Sequence, residues 1–126
     1  PQVLLAVYFQ QNGHSDRAQA LLQEAHRKEP RHPVPEFFLG QFAIRNGRLA
    51  QAREHLDRAV SLPIPRQWPK SHRRRFLILL HAERFQLAQR LKDQSLARAA
   101  LETWITLEPE NKRLQELQRQ FSAEHE

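Results

Sequence analysis

The sequence has no cysteine, no methionine, three glycines and one tyrosine among its 126 residues. Without cysteine there is no disulfide framework and no thiolate metal site, and either redox environment suits the chain. Three glycines are too few for a series of tight hairpins or for a phosphate-cradling loop. No purely apolar run, Phe76 to Leu80 included, approaches the roughly 20 residues of a membrane helix. No charged segment followed by an apolar stretch and a small-residue cleavage site opens the chain. A soluble, cytoplasmic protein is therefore expected, and the missing initiator methionine fits a segment of a larger one.

What the sequence does contain is 40% hydrophobic and 27% charged residues, the composition of a globular domain. Apolar residues recur at three- and four-residue spacing almost throughout, and strand-like alternation never lasts, so the fold class is all-α. Breakers at Asn12-Gly13, Glu29-Pro30 to Pro35, Asn46-Gly47, Pro63 to Pro69, Lys92-Asp93 and Glu108-Pro109 divide the chain into about seven helical segments. Ser15 and Ser95 stand before helical runs as capping residues. Pro35-Glu36 places a proline in a first turn with an acid beside it, and Asn111 opens the last segment.

An internal period makes the architecture more specific. Asn12-Gly13 and Asn46-Gly47 are 34 residues apart, and at the same separation Ala18 falls on Ala52, Leu22 on Leu56 and Ala25 on Ala59. Small residues let paired helices approach closely, and the large ones fill the space between one pair and the next. Ala97, Leu101 and Pro109 continue the pattern less completely.

On these residues, together with Leu5-Ala6, Phe9 and Pro30 in the first copy and Leu39-Gly40 in the second, the chain resembles the tetratricopeptide repeat family. The resemblance implies a right-handed α-α superhelix of about three helix pairs with a C-terminal capping helix. The expected layout is repeat one over 1–32, repeat two over 33–62, a basic proline-rich insertion over 63–75, a degenerate repeat three over 76–109 and a cap over 110–126. Gln2 and Glu36 stand where the family has a leading Trp. Lys92 replaces the Gly of the other repeats, and Trp104 stands where they have Ala25 and Ala59, which marks a change of stacking geometry there.

Ala52 and Ala97 are 45 residues apart, eleven more than one repeat, about three helical turns. The proline spacing from Pro63 to Pro69 favours an extended connector followed by a long helix. The charge gathers in the same region. Residues 63–92 hold eight basic and one acidic residue, against eight and six before them and four and seven after them. Arg66, Lys70, Arg73, Arg74 and Arg75 form the candidate basic patch. Arginines in an opening helical turn oppose the macrodipole at about 0.3 to 1 kcal/mol each, which points to an acidic partner if they are more than a solvated turn. With only Trp68 nearby, the segment is poor in the aromatics that stack nucleic-acid bases.

The resemblance also implies a groove lined by the first helices of successive pairs. By position it would present Val3, Val7 and Gln10 from repeat one, Phe37, Gln41, Ile44 and Arg45 from repeat two, and Gln86, Gln89 and Arg90 from repeat three. Amides can bond an extended backbone, Phe37 and Ile44 can take an apolar anchor, and the arginines can pair with a carboxylate. The alternative for Phe37 and Ile44 is ordinary inter-helix packing. Chaperone-binding members of the family hold a terminal carboxylate with Asn and Lys, but Val3, Val7 and Phe38 occupy the corresponding places here. No two of the seven histidines are three or four residues apart, the spacing that shares a helical face, and no activated nucleophile is apparent. The expectation is a non-catalytic module without metal or cofactor that binds a protein or peptide. Polyanion binding through residues 66–75 and self-association through exposed repeat ends are the alternatives.

Overall fold

The computed structural model describes residues 15–124, and every regular element among them is an α-helix. These are α1 (Ser15–Lys28), α2 (Pro33–Arg45), α3 (Leu49–Ser61), α4 (Lys70–Leu91), α5 (Gln94–Leu107) and α6 (Lys112–Glu124). The helix expected before Asn12-Gly13 lies outside the described residues. Contacts gather the chain into two compact units, Pro1–Trp68 and Pro69–Glu126.

In the first unit, α1 buries Ala18, Leu22 and Ala25, while α3 buries their counterparts Ala52, Leu56 and Ala59. The 34-residue register in the sequence is thus a register of burial. Between these helices in the chain, α2 is buried on nearly every side, which agrees with its lack of a polar stripe. His32 caps it, its Nδ1 accepting from the Val34 N–H at 3.2 Å, and Pro33 follows in the first turn, where its missing N–H costs nothing. The α2 backbone lies close against α3 at Gly40. A Cβ there would meet Leu56 Cδ2 at 2.6 Å and Cγ at 2.8 Å. Asn46 ends α2 by donating from Nδ2 to the Phe42 carbonyl at 3.0 Å, and Gly47 takes the left-handed conformation (φ 72°) that turns the chain into α3.

Past Ser61 the chain is non-helical up to Lys70, with the Trp68 ring 5.9 Å from that of His32. The second unit then opens with α4, which at 22 residues is nine longer than α2. Most of the additional length between Ala52 and Ala97 is therefore helix. Lys92 ends α4 at φ 57° and ψ 35°, the left-handed conformation that Gly47 has after α2. Ser95 is not the cap of α5, contrary to expectation. Asp93, two residues earlier, takes that place, its Oδ1 accepting from the Leu96 N–H at 3.0 Å, and Ser95 lies inside the helix. Asn111 does cap α6, accepting from the Leu114 N–H at 3.2 Å.

The core of this unit is built from Phe85 and Ala88 of α4, Ala97, Ala100 and Leu101 of α5, and Leu114 and Phe121 of α6. Trp104 is half-buried against it, 6.3 Å between ring centroids from Phe85, and donates from Nε1 to Glu108 at 2.9 Å. Its polar end is thereby satisfied while the indole covers apolar surface. On α4, His81 is 7% exposed and accepts at Nδ1 from the Arg84 guanidinium at 3.1 Å. Burial, reinforced by the Arg84 charge, lowers its pKa from 6.5 to about 4. No helix among the described residues is long and apolar enough to cross a membrane.

Candidate functional site

Val3, Val7 and Gln10 lie outside the described residues. On α2, Phe37 and Ile44 are 3% and 6% exposed, and Phe37 packs edge-on against Phe38 with 5.1 Å between ring centroids. At such exposure they hold packing positions, and neither can receive an apolar anchor without moving. Gln41 is half-buried and Arg45 exposed, in the last turn where a cation meets the negative end of the helix dipole. On α4, Gln86, Gln89 and Arg90 are all exposed. Their spacing of three and four residues puts them on one helical face, a short row of two amides and a guanidinium.

The five basic residues are exposed, Arg66 in the connector and Lys70, Arg73, Arg74 and Arg75 in the opening turns of α4. Consecutive helical residues are about 100° apart, so the three arginines fan around the axis rather than share a face. Arg74 also has a structural role. Its Nε donates to the Leu107 carbonyl at 2.9 Å, satisfying an orphan acceptor in the last turn of α5.

A second constellation was not read from the sequence. Glu36, in the first turn of α2, is fully buried. One carboxylate oxygen is 2.8 Å from His55 Nδ1; the other is 3.1 Å from His26 Nε2 and 3.6 Å from Arg58 Nη1. Only the His55 contact has hydrogen-bond geometry, since Oε1 meets its two neighbours within ion-pair distance but off line. Burying a lone carboxylate costs several kcal/mol, and here groups from α1 and α3 offset that cost. His26 and His55 are 29 positions apart, so helical spacing could not reveal them. The available signal was Glu36 itself, an acid amid Pro33-Val34-Pro35 and Phe37-Phe38-Leu39.

Beside this carboxylate is a cleft of about 380 Å³. The exposed or half-buried side chains of Gln51, His55 and Arg58 from α3, with Arg48 at its N-cap, form one wall. Gln19, Gln23 and His26 from α1 form the other, with Asn46 at one end. Leu39, Phe42 and Ala43 make the floor, and among the described residues no carboxylate lines the cleft.

Helices paired through a glycine contact, with a small-large-small triplet recurring 34 residues apart, define a helical-repeat protein. More specifically, residues 9–61 match the tetratricopeptide repeat family model, and the chain carries a tetratricopeptide-type helical repeat. Among solved structures it is similar to the first tetratricopeptide repeat domain of Spaghetti (RPAP3) bound to the HSP90 peptide SRMEEVD. The TM-score is 0.76 and the identity 19%, over 97% of this chain and 90% of that one. At that identity the likeness concerns the fold. No curated protein matches the chain in sequence.

Proposed function

We propose that this chain is a non-catalytic protein-interaction module that binds a segment of a partner protein on the faces of its first helices. The observation that carries the reading is the row of Gln86, Gln89 and Arg90 on α4, with Gln41 and Arg45 on α2, in a fold whose similar domain is seen with a peptide. Amide side chains bond the N–H and C=O groups of an extended backbone whatever its sequence, and a guanidinium adds selectivity for a carboxylate. The place where a clamp on a terminal carboxylate would need an Asn on α2 holds Phe38, which packs against the cluster of Ala18, Leu22, Leu39 and Phe42 and has no polar side-chain atom to offer.

Peptides selected from a displayed random library, followed by fluorescence anisotropy, test the proposal. Arg45→Glu and Arg90→Glu each weaken a selected acidic peptide about tenfold, equivalent to about 1.4 kcal/mol. A dissociation constant unchanged in both variants would remove the reading. A second reading, an acidic protein surface docking on residues 66–75, draws on the excess of basic residues there. It requires the dissociation constant to respond to Arg73→Glu and Arg75→Glu and not to changes at Arg45 or Arg90.

A further inference from the structure

The cleft beside Glu36 is walled by the second helices, α1 and α3, over a floor from α2, and none of its lining residues is among those to which binding was assigned above. Its composition is uneven. Two arginines, two histidines and four amides converge on a floor of Leu39, Phe42 and Ala43, with no acid among them. The nearby carboxylate, Glu36, is fully buried and cannot itself contact a ligand. It instead draws His55 Nδ1 inward to 2.8 Å, which fixes the ring and turns its other nitrogen away from the carboxylate. Arg58 remains 57% exposed although one Nη lies 3.6 Å from Glu36, so most of its donors face solvent. At the other end, Arg48 occupies the N-cap position of α3 without capping it, and among the described residues its side chain has no hydrogen-bond or ion-pair partner.

We infer that this cleft is a second recognition site, which takes an acidic segment of a partner protein whose carboxylates pair with Arg48 and Arg58. Charge complementarity carries the assignment. Arg48 at the N-cap and Arg58 in the last turn of α3 are ten residues apart, about 15 Å along the helix axis, far enough to engage separate carboxylates of one extended segment. Gln19, Gln23 and Gln51 between them can bond that segment's backbone. The site stands whether or not the first-helix faces bind anything.

The test uses the whole chain and a fluorescein-labelled, acetylated hexapeptide of sequence Glu-Leu-Glu-Glu-Leu-Glu, with its Gln-for-Glu counterpart as the neutral control. Saturable anisotropy is expected for the acidic peptide, with about fivefold or more weaker binding of the neutral one. Arg48→Gln weakens the acidic peptide about fivefold and Arg48→Glu about tenfold or more. The exposed Arg113→Glu, outside the cleft lining, makes the same charge change and leaves it within about twofold. Side-chain amide resonances of Gln51 and Asn46 shift on titration. The inference is overturned by non-saturable binding, by equal losses in Arg48→Glu and Arg113→Glu, or by amide resonances that stay put while the peptide binds. Because Arg48 is exposed and unpartnered, its variants keep the fold, which circular dichroism verifies.

Discussion

Replacing Gly40 by alanine sets two effects of opposite sign against each other. On helix propensity alone, Ala stabilises an interior position by about 1 kcal/mol relative to Gly. Packing opposes it. The new methyl would stand 2.6 Å from Leu56 Cδ2 and 2.8 Å from Cγ, so about 1 Å must be found to restore ordinary contact. Leu56 is 1% exposed and cannot swing outward, and His55 Cβ at 3.4 Å closes a second direction. The helices must part or Leu56 must leave its rotamer, an overpacking cost of about 1 to 3 kcal/mol. The expected net effect of Gly40→Ala is a destabilisation of about 1 kcal/mol, read as a lower urea midpoint at unchanged slope. A double-mutant cycle sharpens the test. Leu56→Ala alone costs about 2 to 5 kcal/mol, but in the Gly40→Ala background it costs about 1 to 2 kcal/mol less, because it relieves the clash and the added methyl enters the void. A stabilised Gly40→Ala, or additive behaviour in the cycle, would refute the claim that repeat two depends on close approach at this glycine.

Two further predictions concern the second unit. Lys92 holds a left-handed conformation that costs a side chain about 1 to 2 kcal/mol, so Lys92→Gly raises stability by about 0.5 to 1 kcal/mol, and an unchanged or lower melting temperature would count against that reading. His81 titrates at about 4 when folded and at 6.5 when unfolded, so between those values the unfolded state binds more protons. Its contribution is complete above pH 6.5 and declines as the pH falls toward 4, by about 3 kcal/mol in all. His81→Gln flattens the stability profile over that window. Parallel urea-midpoint profiles for the two proteins would show that His81 is not the group responsible.

The helical architecture was legible because its determinants are local and periodic. Ala18, Leu22 and Ala25 repeat as Ala52, Leu56 and Ala59, and each triplet shows its buried face in its spacing. The cap of α5 was misplaced by two residues because Asp93 and Ser95 are both competent acceptors, and only the backbone path decides which one meets a free N–H. The Glu36 cluster was not legible at all. Its members, His26, Glu36, His55 and Arg58, come from three helices, and no spacing rule links partners that meet through tertiary packing. The basic segment shows the converse. Arg73, Arg74 and Arg75 are adjacent in sequence, yet a helix turns them apart and Arg74 is engaged with the end of α5.

The central claim, that the first-helix faces bind a partner, is tested most directly by titrating the isotopically labelled chain with a library-selected peptide and following its amide resonances by NMR. The largest shifts are expected on Gln41, Arg45, Gln86, Gln89 and Arg90. Shifts confined to the connector and opening turns of α4, or to the cleft between α1 and α3, with those five residues unmoved, would contradict it.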